Sequence, residues 1–214
     1  LDCAACLWGP VVVFVGERDW RLFQRLAFFR TLHLIRNGVK VASKCTDRER
    51  EGMVFVGRLS PEKNVMSLIC AAEASQLSLD LYGPLDQHDP DFVSEVLHVL
   101  SACRYVRWRG PIPFGEVRQT LQEYRVFVNP SFSEGMPVSV LEAAAEGLYL
   151  VLSDIPQHRL LQFPACHYVD PHHMSFDGLV GNLLDGAANY GHVRQKYGIE
   201  NMVASYLKVY QEVV

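Results

Sequence analysis

From Met53 onward the chain alternates short apolar, β-branched runs with longer amphipathic stretches. "MVFVG" (53–57), "LSLDLYG" (77–83), "YVRWRG" (105–110), "VFVNPS" (126–131) and "LYLVLSD" (148–154) predict strands. Between them, "EKNVMSLICAAEASQ" (62–76), "PDFVSEVLHVLSA" (90–102), "FGEVRQTLQEY" (114–124) and residues 137–147 predict helices. Strands this continuously apolar belong to a parallel sheet covered on both faces. Their alternation with helices implies right-handed βαβ units. The expected fold class is α/β, a Rossmann-like doubly wound parallel sheet. Such sheets bind ligands beyond the carboxyl ends of their strands. The loops to watch are therefore 57–63, 83–89, 110–114, 130–137 and 153–159.

The flanks read differently. "HMSFDGLVGNLLDGAANY" (173–190) and "RQKYGIENMVASYLKVYQEVV" (194–214) predict two terminal helices, the second with Met202, Tyr206, Val209 and Tyr210 at helical spacing. At the start, "VVVFVGE" (11–17) predicts a strand, "RDWRLFQRLAFFRTL" (18–32) a helix and "LHLIRNGV" (32–39) a short strand ending in a turn. The charge-rich "KVASKCTDREREG" (40–52) reads as a linker. About fifty residues cannot build a strong core alone. The first fifty are therefore expected to be the tail of a domain whose body lies outside this chain.

Composition changes little in this picture. The 214 residues are 49% hydrophobic and 21% charged, an ordinary globular balance. A net charge of −4, without a basic stripe, argues against nucleic acid as a partner. No apolar run approaches a membrane span, and no basic-then-apolar leader opens the chain at Leu1. "CAAC" (3–6) has zinc or redox spacing but lacks a second pair, so the six cysteines read as reduced thiols of a cytoplasmic protein.

Two loops carry candidate chemistry. In "VGRLSPEKN" (56–64), Gly57 ends a strand, Ser60 and Pro61 suit a helix start, and Arg58 and Lys63 flank the turn. Two cations beside a helix N-terminus suit a diphosphate. A surface arginine and lysine on a well-capped helix fit the same residues. In "SFSEGMPVSVLE" (131–142), a helix opened by Pro137 would aim the amides of residues 135–139 into the same crevice, with Glu134 in the loop. Glu142 would lie about one and a half turns into that helix. "SVLE" also matches a capping box, Ser139 capping and Glu142 reaching back. The spacing leaves both readings open. "DQHDPD" (86–91) gathers Asp86, His88, Asp89 and Asp91, but Pro90 suggests an acidic helix start. "DPHH" (170–173) sets two histidines side by side, pointing apart. No metal site is expected.

Taken in order, "VGRLSPEKN", "LDLYGP", "GPIPFGEVRQTLQEYRVFVNPSFSEGMPVSVLEAAAEG" and "SDIPQHR" resemble the C-terminal, donor-binding half of family 4 retaining glycosyltransferases, which have the GT-B fold. The resemblance spans about residues 34–212. It implies an enzyme that transfers a sugar from a nucleotide-diphosphate sugar to a glycan, lipid or small-molecule acceptor. It casts Arg58 and Lys63 as the pair on the donor diphosphate. Glu134 and Glu142 become the two glutamates of an E-x7-E motif, the first on sugar hydroxyls and the second on the ribose. Gly57, Gly135, Met136, Pro137, Val138 and Ser139 line the donor. It implies no cofactor and no metal, and it allows peripheral membrane contact at the cytoplasmic face through the N-terminal domain. Residues 1–35 then correspond to the end of the acceptor-side domain, 36–52 to the hinge, and 53–214 to the nucleotide-sugar-binding domain.

The chain departs from the family pattern at Gly16 and Glu17, where serine is usual. Leu148 and Tyr149 stand where Gly-x-Pro-Val is usual, and Leu160 where glutamate is common. A catalytically incomplete nucleotide-sugar-binding fragment is the alternative reading. A nucleotide-sugar epimerase of the same fold is a further rival, but it lacks this order of motifs.

Overall fold

The computed structural model describes residues 11–26, 31–43, 50–176, 179 and 185–213. Six parallel strands form the main sheet: β3 (Glu51–Val56), β4 (Leu79–Tyr82), β5 (Val106–Gly110), β6 (Tyr124–Asn129), β7 (Tyr149–Ser153) and β8 (Cys166–Val169). Their spatial order is β5-β4-β3-β6-β7-β8. Counted from β3 this is 3-2-1-4-5-6, the doubly wound order, and the direction of winding reverses between β3 and β6. A separate parallel pair, β1 (Val11–Phe14) and β2 (Thr31–Leu34), is joined through α1 (Glu17–Leu26).

The strand pattern explains the layering. Met53, Phe55, Val126, Val128 and Val151 point to one face and pack on Val65, Leu68, Ile69 and Ala72 of α2 (Val65–Ala74) and Val96 of α3 (Pro90–Ala102). Val54, Phe127, Leu150 and Leu152 point to the other. There they meet Leu121 of α4 (Val117–Leu121), the Val140–Ala145 stretch of α5 (Val138–Ala145) and Val193 of α7 (Ala187–Lys196). Successive strand residues face opposite sides, so a run apolar at every position fits only a sheet buried twice. The final helix, α8 (Ile199–Val213), is fastened to residues 38–39. Val39 donates to the Tyr197 carbonyl at 2.9 Å and accepts from Ile199 at 3.0 Å. Asn189, buried in α7, bonds the carbonyls of Leu148 and Ala165 at 2.9 and 2.8 Å and holds that helix to β7 and β8.

Several boundaries differ from the pattern reading. The helix expected over 62–76 is a 3-10 turn, Pro61–Lys63, followed by Asn64 in the left-handed region (φ 54) and only then α2. The helix expected over 114–124 shortens to a 3-10 turn, Phe114–Glu116, and α4, because Tyr124 already belongs to β6. At the end of the chain, the break at Tyr197–Gly198 separates α7 from α8, so the division falls later than periodicity suggested. α7 begins only at Ala187, residues 173–176 are not helical, and 177–178 and 180–184 of the helix expected over 173–190 lie outside the described residues. β8 and the one-turn α6 (Pro156–Arg159) were not foreseen. The expected first helix overran, since Thr31 and Leu32 are strand. "CAAC" and residues 44–49 of the expected linker lie outside the described residues, and the linker's last two residues, Glu51 and Gly52, already belong to β3.

The loop after β3 is placed by running alongside the loop after β4, extending their parallel pairing. Gly57 donates to the Tyr82 carbonyl and Leu59 to the Pro84 carbonyl, each at 2.9 Å. Gly83 makes this close approach possible: its φ is +143, and a Cβ there would lie 1.8 Å from the Gly57 carbonyl oxygen. Gly83→Ala should therefore lose at least ~1–3 kcal/mol of stability in urea unfolding. Unchanged stability would show that the paired loops tolerate displacement.

Candidate functional site

The winding reversal leaves a crevice outside the carboxyl ends of β3 and β6. The loops following both strands meet there. Asn64 joins them: its buried side-chain amide donates to the Pro130 carbonyl at 3.3 Å and the Pro171 carbonyl at 2.7 Å. Phe132 N–H donates to the Glu62 carbonyl at 3.0 Å. Three loops, after β3, β6 and β8, are thus fixed around one asparagine.

Glu134 is the centre of the resulting polar network. Its Oε1 accepts from Lys63 Nζ at 2.8 Å, Ser131 Oγ at 2.7 Å and Asn129 Nδ2 at 3.2 Å. The carboxylate is 8% exposed and the lysine side chain 24%. Burial pushes the Glu134 carboxyl up, but the Lys63 ammonium and the Ser131 hydroxyl outweigh it and hold the group below its ordinary value. Behind this layer, Ser153 Oγ donates to the Ser131 carbonyl at 2.6 Å, and the fully buried His158 contacts Ser153.

A cleft of about 1020 Å³ opens beside Glu134. One wall is formed by Glu134, Gly135, Met136 and Pro137 with residues 155–157 and 159–162. The other is Val15–Asp19, Arg21 and Arg36. The two walls touch: Asn37 N–H lies 3.1 Å from the Met136 sulfur, and a Cβ on Gly16 would lie 3.9 Å from the Gly135 carbonyl oxygen. On the far wall Glu17 binds Arg21 and, at 3.0 Å, Arg36.

The two readings of "SVLE" are separated by geometry. The cap position of α5 is Pro137, which makes no side-chain cap bond, and Ser139 is the second residue inside the helix. No capping box exists. The first amides of a helix lack intrahelical partners, so this start keeps open donors beside Gly135. Glu142, in the second turn, has no hydrogen-bond or ion-pair partner among the described residues, and burial alone raises its carboxyl above the ordinary value.

The other predicted residues divide. Glu134, Gly135, Met136 and Pro137 line the cleft. Lys63 reaches it through Glu134. Arg58 is exposed and has no partner among the described residues. Gly57 belongs to the loop paired alongside that after β4, and Val138, Ser139 and Glu142 belong to α5. Ser60 sits at the cap of the 3-10 turn but makes no side-chain cap bond. Asp89 caps α3, accepting from Phe92 N at 3.0 Å, which gives the acidic cluster its structural role. No group of three or more metal-ligating side chains exists among the described residues. Asn64, Asn129, Ser131, Ser153 and His158 were missed. Their signal was faint: Asn129 and Ser153 are polar residues ending apolar strands, and Asn64, Ser131 and His158 stand among ordinary loop and turn residues.

Comparison with known proteins decides the family. Residues 50–163 match the model for glycosyl transferases group 1. The chain belongs to this family. Its sequence is 32% identical over 102 residues to the putative teichuronic acid biosynthesis glycosyltransferase TuaC of Bacillus subtilis, covering 48% of this chain and 24% of that protein. It is 30% identical over 145 residues to the alpha-maltose-1-phosphate synthase of Mycolicibacterium smegmatis, covering 58% and 38%. This glycosyltransferase chain therefore spans well under half the length of those curated relatives. Among solved structures, Anabaena Alr3699/HepE in complex with UDP and glucose superposes with a TM-score of 0.79 at 15% identity, covering 95% of this chain and 64% of that one. The pneumococcal O-GlcNAc transferase GtfA in complex with UDP and GlcNAc gives 0.71 at 18%, covering 95% and 45%. The shared architecture is the GT-B fold.

The Lys63–Glu134 pair has a pH signature. A carboxyl held low in the native state stabilises the fold fully above its unfolded value of about 4.3, and this stability is lost as pH falls through the lower native value. Lys63→Ala should lower stability by about 1–3 kcal/mol at pH 7. That gap should narrow as pH drops below about 4.3, read from urea midpoints. A gap independent of pH would assign the loss to packing.

Proposed function

We propose that this chain is the nucleotide-sugar-binding part of a retaining glycosyltransferase. The observation that carries the reading is the buried Glu134 carboxylate, held by Lys63, Ser131 and Asn129 beside the open start of α5, at the edge of the cleft. In this reading residues 53–214 hold the donor, 36–52 form a hinge, and the β1–α1–β2 unit belongs to the acceptor side.

The roles follow from charge. An arriving diphosphate competes for Lys63, whose ammonium can turn from Glu134 toward it, and Arg58 is an unengaged second cation on the same loop. The amides at 138–140 add fixed donors aimed at the same anion. Freed from Lys63, Glu134 accepts hydrogen bonds from sugar hydroxyls, with Ser131 and Asn129 still holding it. Bond breaking loads charge on the leaving phosphate oxygen, where preorganised donors lower the barrier. Each such donor is worth roughly 3 kcal/mol. With two cations in place, the step needs no metal. Glu142 takes the ribose hydroxyls. Its raised carboxyl must ionise to accept them, so nucleotide affinity should rise with pH through that value.

TuaC is named a glycosyltransferase and GtfA an O-GlcNAc transferase, which supports sugar transfer, and the acceptor in this reading is a glycan, lipid or small molecule. UDP in the HepE and GtfA structures makes uridine the first base to try.

Calorimetric titration with UDP, GDP and ADP, with and without magnesium, tests the reading. One nucleotide should bind in either condition. Lys63→Ala and Glu142→Ala should each weaken it at least ~10-fold, about 1.4 kcal/mol. Glu134→Ala should weaken the matching nucleotide sugar more than the free nucleotide and reduce transfer. Failure of a folded chain to bind any of the three would overturn the proposal.

A further inference from the structure

His158 is the largest polar side chain in the fully buried set, and the functional reading above gives it no task. It sits on α6, one turn after β7, behind the layer that holds Glu134. Its Nδ1 lies 2.9 Å from the Ser153 carbonyl oxygen and 3.1 Å from Ser153 Oγ. Ser153 Oγ has one proton and gives it to the Ser131 carbonyl at 2.6 Å. It can only accept from His158, so Nδ1 carries the hydrogen and donates toward both Ser153 oxygens. Nε2 is then a bare lone pair, and it is buried without a partner among the described residues. Burial holds the ring below its ordinary value, so this tautomer is neutral near pH 7.

A buried imidazole with one nitrogen unmatched is a poor core residue. Leucine or phenylalanine would fill the space without stranding a polar atom, and buried unsatisfied groups call for an explanation. The explanation lies along the bonds. His158 orients the Ser153 hydroxyl, and that hydroxyl fixes the Ser131 peptide. Ser131 Oγ in turn reaches Glu134 Oε1 at 2.7 Å and Asn129 Oδ1 at 2.6 Å. The connections in this series are short hydrogen bonds between small or rigid groups, shared at His158 Nδ1 and at Ser131 Oγ.

We propose that His158 is a positioning residue for Glu134, acting through Ser153 and the Ser131 peptide rather than by touching the ligand. The proposal rests on the donor-site reading of Glu134 for its functional consequence, but the positioning itself can be measured without ligand. Displacing a reacting contact by about 1 Å costs on the order of 100-fold in transfer, so loss of this relay should fall on the sugar end and spare the nucleotide end.

The experiment compares wild type with His158→Leu, His158→Asn, His158→Gln and Ser153→Ala. In the ligand-free chain, carbon-detected NMR titration follows Glu134, assigned by its loss in Glu134→Gln. His158→Leu and Ser153→Ala should move the Glu134 midpoint upward, as the Ser131 bond loosens. His158→Asn, whose amide nitrogen replaces Nδ1, should restore it, and His158→Gln should not. With UDP and UDP-glucose, or GDP and GDP-mannose if guanosine is the base that binds, His158→Leu should weaken the nucleotide sugar about tenfold more than the nucleotide. An unmoved Glu134 midpoint in His158→Leu, or equal rescue by Asn and Gln, overturns the positioning role. Should His158→Leu fail to fold, Ser153→Ala and His158→Asn carry the same comparison. If wild type binds no nucleotide, the donor-site reading falls, and the ligand-free titration still decides the relay.

Discussion

The reversal of winding between β3 and β6 is the constraint on which the site depends. Helices leave neighbouring strands toward opposite faces of the sheet there, so no helix covers the strand ends between them. The loops after β3 and β6 must fill that gap, and each brings a charged residue to it: Lys63 from one, Glu134 from the other. Neither loop could hold its charge half-buried alone. Brought together, each desolvated charge finds its partner, and Ser131 and Asn129 satisfy the remaining demand on Glu134.

Asn64 shows how closely backbone and side chain cooperate at that gap. Its left-handed backbone stops the 3-10 turn and starts α2 in a new direction, which asparagine tolerates better than most residues. The same residue turns its amide inward to two carbonyls that would otherwise be buried unmatched. One residue thus redirects the chain and joins three loops.

Much of this was legible in the sequence. The strands were visible because a doubly covered sheet demands apolar residues at every position, and Met53 to Phe55 and Val126 to Val128 supply them. The candidate loops followed from the same alternation, and Glu134 was conspicuous as an acid among Ser, Gly and Pro. What stayed hidden depends on contacts distant in sequence. Periodicity could not see that Asn64 would take a left-handed backbone and split the helix expected over 62–76. "CHYV" was too short and too polar to announce β8, which is a strand because β7 lies beside it. The capping-box pattern in "SVLE" was misleading because Pro137, already fixed in φ, took the cap position two residues earlier. His158 looked like a loop histidine, and only the packing of α6 behind β7 shows it enclosed.

The pairing of Lys63 with Glu134 also shapes how the cleft looks from a distance. A lone lysine in a concave, low-dielectric wall would project a positive field into solvent and draw anions inward. Here the ammonium and carboxylate form a compact dipole whose field fades within a few ångströms. Arg58, on the loop after β3, is exposed and therefore heavily screened at physiological salt. On the donor-site reading, the pair itself would give an arriving diphosphate little long-range guidance, and Lys63 would recognise it only on contact, once the ammonium turns from Glu134.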